Sequence, residues 1–137
     1  MFVLVHTKIL ANQWAERVSQ FLPSTQGKIQ VLNGSNDTPH ESTLVCIGLM
    51  QSISKSDREE QMSNRFSQFG MLIVDEAHHC PCDSIRQSMM CFGGRYTLGL
   101  TATPYRADGL TEYIKWSLGE PAFVVPPQFL SCVCEKI

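Results

Sequence analysis

Apolar residues fall in short continuous runs separated by stretches with helical spacing, and this alternation organises the chain. Phe2 to His6 is one such run, the pattern of a strand buried on both faces of a parallel sheet. From Lys8 to Leu22 the apolar positions are Leu10, Trp14, Val18 and Phe21, one face of a helix that Pro23 and Gly27 close. A strand at Lys28–Leu32 precedes a loop from Asn33 to Ser42 rich in Gly, Asn, Asp, Ser and Pro. Thr43–Gly48 reads as another buried strand. Ser56 or Asp57 then caps a polar helix with Met62, Phe66 and Phe69 as its inner stripe, ended by Gly70. The strand Met71–Asp75, a short helix Asp83–Phe92, a break at Gly93-Gly94 and the strand Arg95–Leu100 follow. A helix from Gly109 to Leu118, a last strand at Ala122–Val125 and an extended Pro126-Pro127 linker complete the reading. The alternation predicts an α/β domain built on a parallel sheet. By spacing, Trp14, Phe66, Phe69 and Phe92 belong to its core, and Trp116 is placed beneath the last strand.

Composition narrows the class. A chain of 137 residues with 43% hydrophobic residues fits one domain with a real core. No run approaches the roughly eighteen apolar residues of a membrane span. The start, Met1-Phe2-Val3-Leu4-Val5, has neither the basic flank nor the length of a signal peptide, so an intracellular protein is expected, cytoplasmic, nuclear or carried in a virion. The net charge of −2 argues against a strongly electrostatic nucleic-acid binder. The six cysteines, Cys46, Cys80, Cys82, Cys91, Cys132 and Cys134, are expected to be reduced thiols. His78-His79-Cys80-Pro81-Cys82 invites a zinc reading, but neither its spacing nor Cys132-x-Cys134 supplies the usual paired ligands.

The chemistry lies in the tetrad Asp75-Glu76-Ala77-His78, carried on the apolar run Met71–Val74. After a second apolar run comes Thr101-Ala102-Thr103-Pro104, about twenty-five residues on, the length of one strand–helix–strand unit. A hydrophobic strand ending in Asp-Glu is how nucleoside triphosphatases hold magnesium beside a phosphate. One carboxylate anchors the hydrated ion, and the next polarises the attacking water.

With these residues in view the chain resembles superfamily 2 helicases and translocases with a DEAH-type Walker B motif. The match is nearest to the XPB-type and type III restriction-enzyme-like branch, which includes viral members. Val3–Lys8 through Gln13-Trp14 resembles motif Ia, and Ile47–Ile53 the segment after it that contains Gln-Ser. Leu72–His79 resembles motif II and Gly99–Pro104 motif III, with the Arg106-x-Asp108-Gly109 stretch of the branch following.

The resemblance implies a RecA-like P-loop NTPase domain that uses ATP and Mg2+ and acts on nucleic acid, DNA ahead of RNA. It implies Asp75 as the magnesium residue acting through water, and Glu76 as the general base. His78 would link the nucleotide site to motif III, where Thr101 and Thr103 would bond to His78 or Asp75. Thr7, Lys8, Gln51 and Ser52, in two loops after parallel strands, would touch nucleic-acid phosphates. For Arg106 and Asp108, an ion pair and a nucleic-acid contact are equal alternatives.

The sequence contains no Gly-x-x-x-x-Gly-Lys-Ser/Thr. The expectation is therefore the later part of a first RecA-like domain, residues 1–125, followed by a linker, 126–137, towards an absent second domain. Hydrolysis by this chain alone is not expected. A competing reading is a non-catalytic nucleic-acid-binding or interaction module, a truncated or split motor. In that case the strand Arg95–Leu100 would have an open edge that another chain could pair with.

Overall fold

The computed structural model describes residues 1–32, 34, 37–53, 66–79, 89, 92–103, 105 and 108–126. Within them the apolar runs form strands β1 (Phe2–Val5), β2 (Ile29–Leu32), β3 (Val45–Leu49), β4 (Met71–Asp75) and β5 (Tyr96–Leu100). All pairings are parallel, in the order β2-β3-β1-β4-β5. Phe2 stands level with both Cys46 and Leu72, and Asp75 with Leu100, so the strands end along one common rim.

Alternation along each strand sorts side chains onto two faces. Phe2, Leu4, Cys46, Leu72 and Val74 point to one face, where Met50, Ile53, Phe66, Phe69 and Ala77 cover them. The Phe2 ring stacks on Phe66 at 4.4 Å between centroids, with Phe69 and Phe92 beyond. Val3, Val5, Val45, Ile47 and Ile73 point to the other face and pack under Ala11, Val18, Leu10 and Trp14. Those last residues belong to helix α1 (Lys8–Phe21). Thr7 caps α1, its hydroxyl accepting the Leu10 N–H at 3.3 Å. Cys46 is a buried thiol inside β3, in no disulfide.

Helix α2 (Met50–Ile53) follows β3 directly, and helix α3 (Thr111–Leu118) packs on β5. Gly119 closes α3 in the left-handed region at φ 89°, its N–H donating to the Lys115 carbonyl at 2.7 Å. Lys115 pairs with Glu112 and Glu120, which raises its pKa.

Several expectations need correction. Gln51 and Ser52 sit in α2 rather than in a loop. Phe21 is 69% exposed, because the last turn of α1 extends past the surface it covers, and Leu22 beside it is also exposed. Trp116 is 73% exposed and lies against Tyr113 instead of beneath a strand. Residues 122–125 form no strand: both edges of the sheet lie elsewhere, and Phe123, Val124 and Val125 remain exposed. The predicted helices Ser56–Phe69 and Asp83–Phe92 lie mostly outside the described residues, as do Cys80, Cys82, Cys91, Cys132 and Cys134.

Candidate nucleotide site at the β1–β4 crevice

The chain leaves β1 towards β2 and β3 on one side, and leaves β4 towards β5 on the other. Open α/β sheets bind ligands where connections diverge in this way, outside the carboxyl ends of the strands. Asp75 and Glu76 stand at that point, at the end of β4.

The Asp75 carboxylate is held at both oxygens. Oδ1 accepts the backbone N–H of Glu76 at 3.0 Å, and Oδ2 accepts the Trp14 indole N–H at 2.8 Å. Glu76 adopts φ 52°, and it is the one non-glycine residue with positive φ among the described residues. That conformation costs about 1 kcal/mol or more in a residue with a β-carbon. It turns the chain sharply from β4 into a 3-10 turn, Ala77–His79, where the His79 N–H returns to the Glu76 carbonyl at 3.0 Å.

His78 joins this turn to the end of β5. Its Nδ1 lies 3.0 Å from Thr101 Oγ1 and 3.2 Å from Glu76 Oε2. A carboxylate oxygen offers only lone pairs, so the second contact is attractive when Nδ1 carries the hydrogen. In that tautomer one N–H is shared between the carboxylate and the hydroxyl. With the His78 and Glu76 side chains 25% and 40% exposed, the pair is partly screened and contributes at most about 1 kcal/mol. Thr101 Oγ1 also accepts the Thr103 N–H at 3.1 Å. Thr103 therefore enters through its backbone, and its side chain is exposed.

Two features were missed by sequence reasoning. Trp14 was assigned to the core by spacing, yet its indole is half-buried and bonded to Asp75. His6, at the end of β1, stacks on His79 at 4.6 Å and 14°, and His79 in turn lies 4.2 Å from His78. The adjacency of β1 and β4 brings these rings together, and no local sequence pattern signals it.

Thr7 and Lys8 lie exposed where β1 enters α1, and Gln51 and Ser52 follow β3, whose Leu49 is level with Val5. The strand ends thus bring all four to the same rim as Asp75, Thr7 and Lys8 after β1 and Gln51 and Ser52 after β3. A cleft of ≈ 120 Å³ lined by Lys8, Ala11, Asn12, Val31, Leu32 and Leu49 opens beside them. Asp108 Oδ1 accepts the Leu110 N–H at 3.2 Å, a local turn, while Arg106 lies outside the described residues.

Among the described residues no group of three or more His, Cys, Asp or Glu is arranged to hold a metal. The cysteines of the zinc reading, Cys80, Cys82, Cys132 and Cys134, lie outside the described residues. Magnesium fits a carboxylate placed like that of Asp75, because it keeps several waters and takes one or two carboxylates plus phosphate oxygens. Each Asp75 oxygen accepts one N–H and keeps a second lone pair.

This sheet and this rim define an α/β domain with a five-stranded parallel sheet. The family described as "Type III restriction enzyme, res subunit" matches residues 1–106, and the chain belongs to that family, within the superfamily 2 helicases. It is 34% identical over 110 residues to "DNA 3'-5' translocase XPB2" of Sulfurisphaera tokodaii, covering 80% of this chain and 23% of that protein. It is 28% identical over 109 residues to "Putative helicase 161L" of Invertebrate iridescent virus 6, covering 79% and 24%. The fold is similar to that of the UvsW helicase from Bacteriophage T4, with a TM-score of 0.64 at 22% identity over 82% of this chain and 40% of that one. The fold is thus RecA-like. The chain spans about a quarter of the length of the two curated relatives.

Proposed function

We propose that this chain is the later part of the first RecA-like domain of an ATP-dependent DNA helicase or translocase, residues 1–125, with 126–137 leading towards a second motor domain. The observation that carries this reading is the Asp75-Glu76-His78-Thr101 network across the ends of β4 and β5. In it Asp75 faces Mg2+ through water, and Glu76, aimed by its left-handed backbone, positions the attacking water. His78 and Thr101 tie that carboxylate to the next strand. Thr7, Lys8, Gln51 and Ser52 would contact nucleic-acid phosphates along the shared rim. DNA is favoured over RNA by the likeness to the DNA translocase of Sulfurisphaera tokodaii. An intracellular or virion location goes with such a role.

The sequence holds no Gly-x-x-x-x-Gly-Lys-Ser/Thr cradle for phosphates, so hydrolysis needs one from elsewhere. The test is magnesium-dependent ATP hydrolysis by the purified chain, with and without DNA, beside Glu76→Gln. No turnover with retained DNA binding is expected. Turnover abolished by Glu76→Gln would mean that the chain finds its own phosphate cradle.

A second reading, an interaction module completed by another chain, is favoured by β5. Among the described residues it is an edge strand, and Tyr96, Leu98 and Leu100 are exposed on the same face as Ile73, beyond the part of that face that α1 covers. A partner strand with a following helix would cover both the open edge and these side chains.

A further inference from the structure

We propose that Trp14 is a positioning residue for Asp75. Its indole N–H fixes the rotation of the carboxylate that faces the cation and ties it to α1, the helix whose start carries Thr7 and Lys8. The inference rests on the magnesium reading given above.

A carboxylate at a strand end ordinarily turns through a broad range about its last torsion. At Asp75 two donors on different oxygens, the Glu76 N–H and the Trp14 indole, remove that freedom. The chemistry of the second donor matters. An indole donates one hydrogen, accepts none and carries no charge. Lysine or arginine in its place would hold the carboxylate as firmly but neutralise it and repel a cation. Histidine could compete as a metal ligand. Tryptophan orients the carboxylate and leaves its full charge to the ion. Its ring also packs with the α1-side core, alongside Leu10 and Ala15, so the donor stands on a rigid support. The link crosses from α1 to β4, joining the helix with the proposed phosphate contacts to the proposed magnesium carboxylate.

The chain has two tryptophans, and the other, Trp116, is exposed against Tyr113, far from this chemistry in its contacts. A Trp116→Phe parent therefore leaves one indole N–H cross-peak in a 15N spectrum, that of Trp14. In this parent, titration with MgCl2 should move the indole peak and the Glu76 backbone amide along one binding curve. Asp75→Asn should displace the indole peak before any metal is added and abolish the response. Trp14→Phe, read through the Glu76 amide, should weaken apparent Mg2+ affinity on the order of tenfold, the usual effect of removing a partner that orients a ligand. Unchanged affinity in Trp14→Phe would overturn the positioning role and leave the magnesium reading standing. No response of either peak in the parent would overturn both. Should Trp14→Phe lose its dispersed spectrum, the Asp75→Asn comparison decides, and an unmoved indole peak there overturns the proposal.

Discussion

Nδ1 of His78 lies 3.0 Å from the hydroxyl of Thr101, joining the turn after β4 to the end of β5. The same hydroxyl accepts the Thr103 N–H, so one oxygen organises two partners. Thr101→Val keeps the shape and removes both bonds. Loss of about 1 kcal/mol is expected, since both groups are partly exposed and water replaces part of what is lost. Urea unfolding followed by circular dichroism measures it; an unchanged midpoint would show that the bridge contributes nothing to stability.

Glu76 presents the opposite case, in which stability and chemistry conflict. Its φ of 52° is strained for glutamate and free of cost for glycine. Glu76→Gly should raise stability by about 1 kcal/mol while removing the carboxylate that the proposed hydrolysis needs. Glu76→Gln, which keeps the strain, should leave the melting temperature near that of the parent. A glycine variant less stable than the glutamine variant would mean that the conformation is not strained.

Phe2 sits under Phe66, Phe69 and Phe92 in the central strand and is 1% exposed. Phe2→Ala should cost about 3–5 kcal/mol. A domain near the lower end of the usual range of about 5–15 kcal/mol would then be partly unfolded. Thermal melting is the check, and a shift of only a few degrees would contradict the assigned core.

The open edge at β5 predicts self-association. Leu98, exposed between Tyr96 and Leu100, lacks the charges that natural edge strands use to prevent pairing. The chain should elute as oligomers or aggregate at micromolar concentration, and Leu98→Lys should shift it towards monomer. Light scattering after size exclusion decides the matter, and a monodisperse parent would count against a sheet that needs completing.

The strands were legible because a buried parallel strand leaves an unbroken apolar run, as at Met71–Val74, and little else of that length does. Apolar spacing reports which residues share a face but not how far the opposing surface extends, which is why Phe21 was misjudged. Residues 122–125 have strand-like composition, yet a strand also needs a neighbour to bond with, and composition cannot supply one. At the candidate site, Asp75 and Glu76 were legible as a carboxylate pair at the end of an apolar strand, which is where β4 ends. The Trp14 bond and the His6–His79 stack depend on which strands become neighbours, and that information lies between distant segments.

The central place of β1 also bears on how the molecule comes to be made. Phe2 is bonded beside Cys46 and Leu72, so the strand at the middle of the sheet is synthesised well before either neighbour. During translation Phe2–Val5 must wait, apolar and unpaired, until β3 and then β4 have left the ribosome. Pairing between such distant segments is slow and exposes the chain to aggregation. A chaperone that binds the nascent β1 strand, or slower synthesis after β4, would therefore change the yield of folded protein.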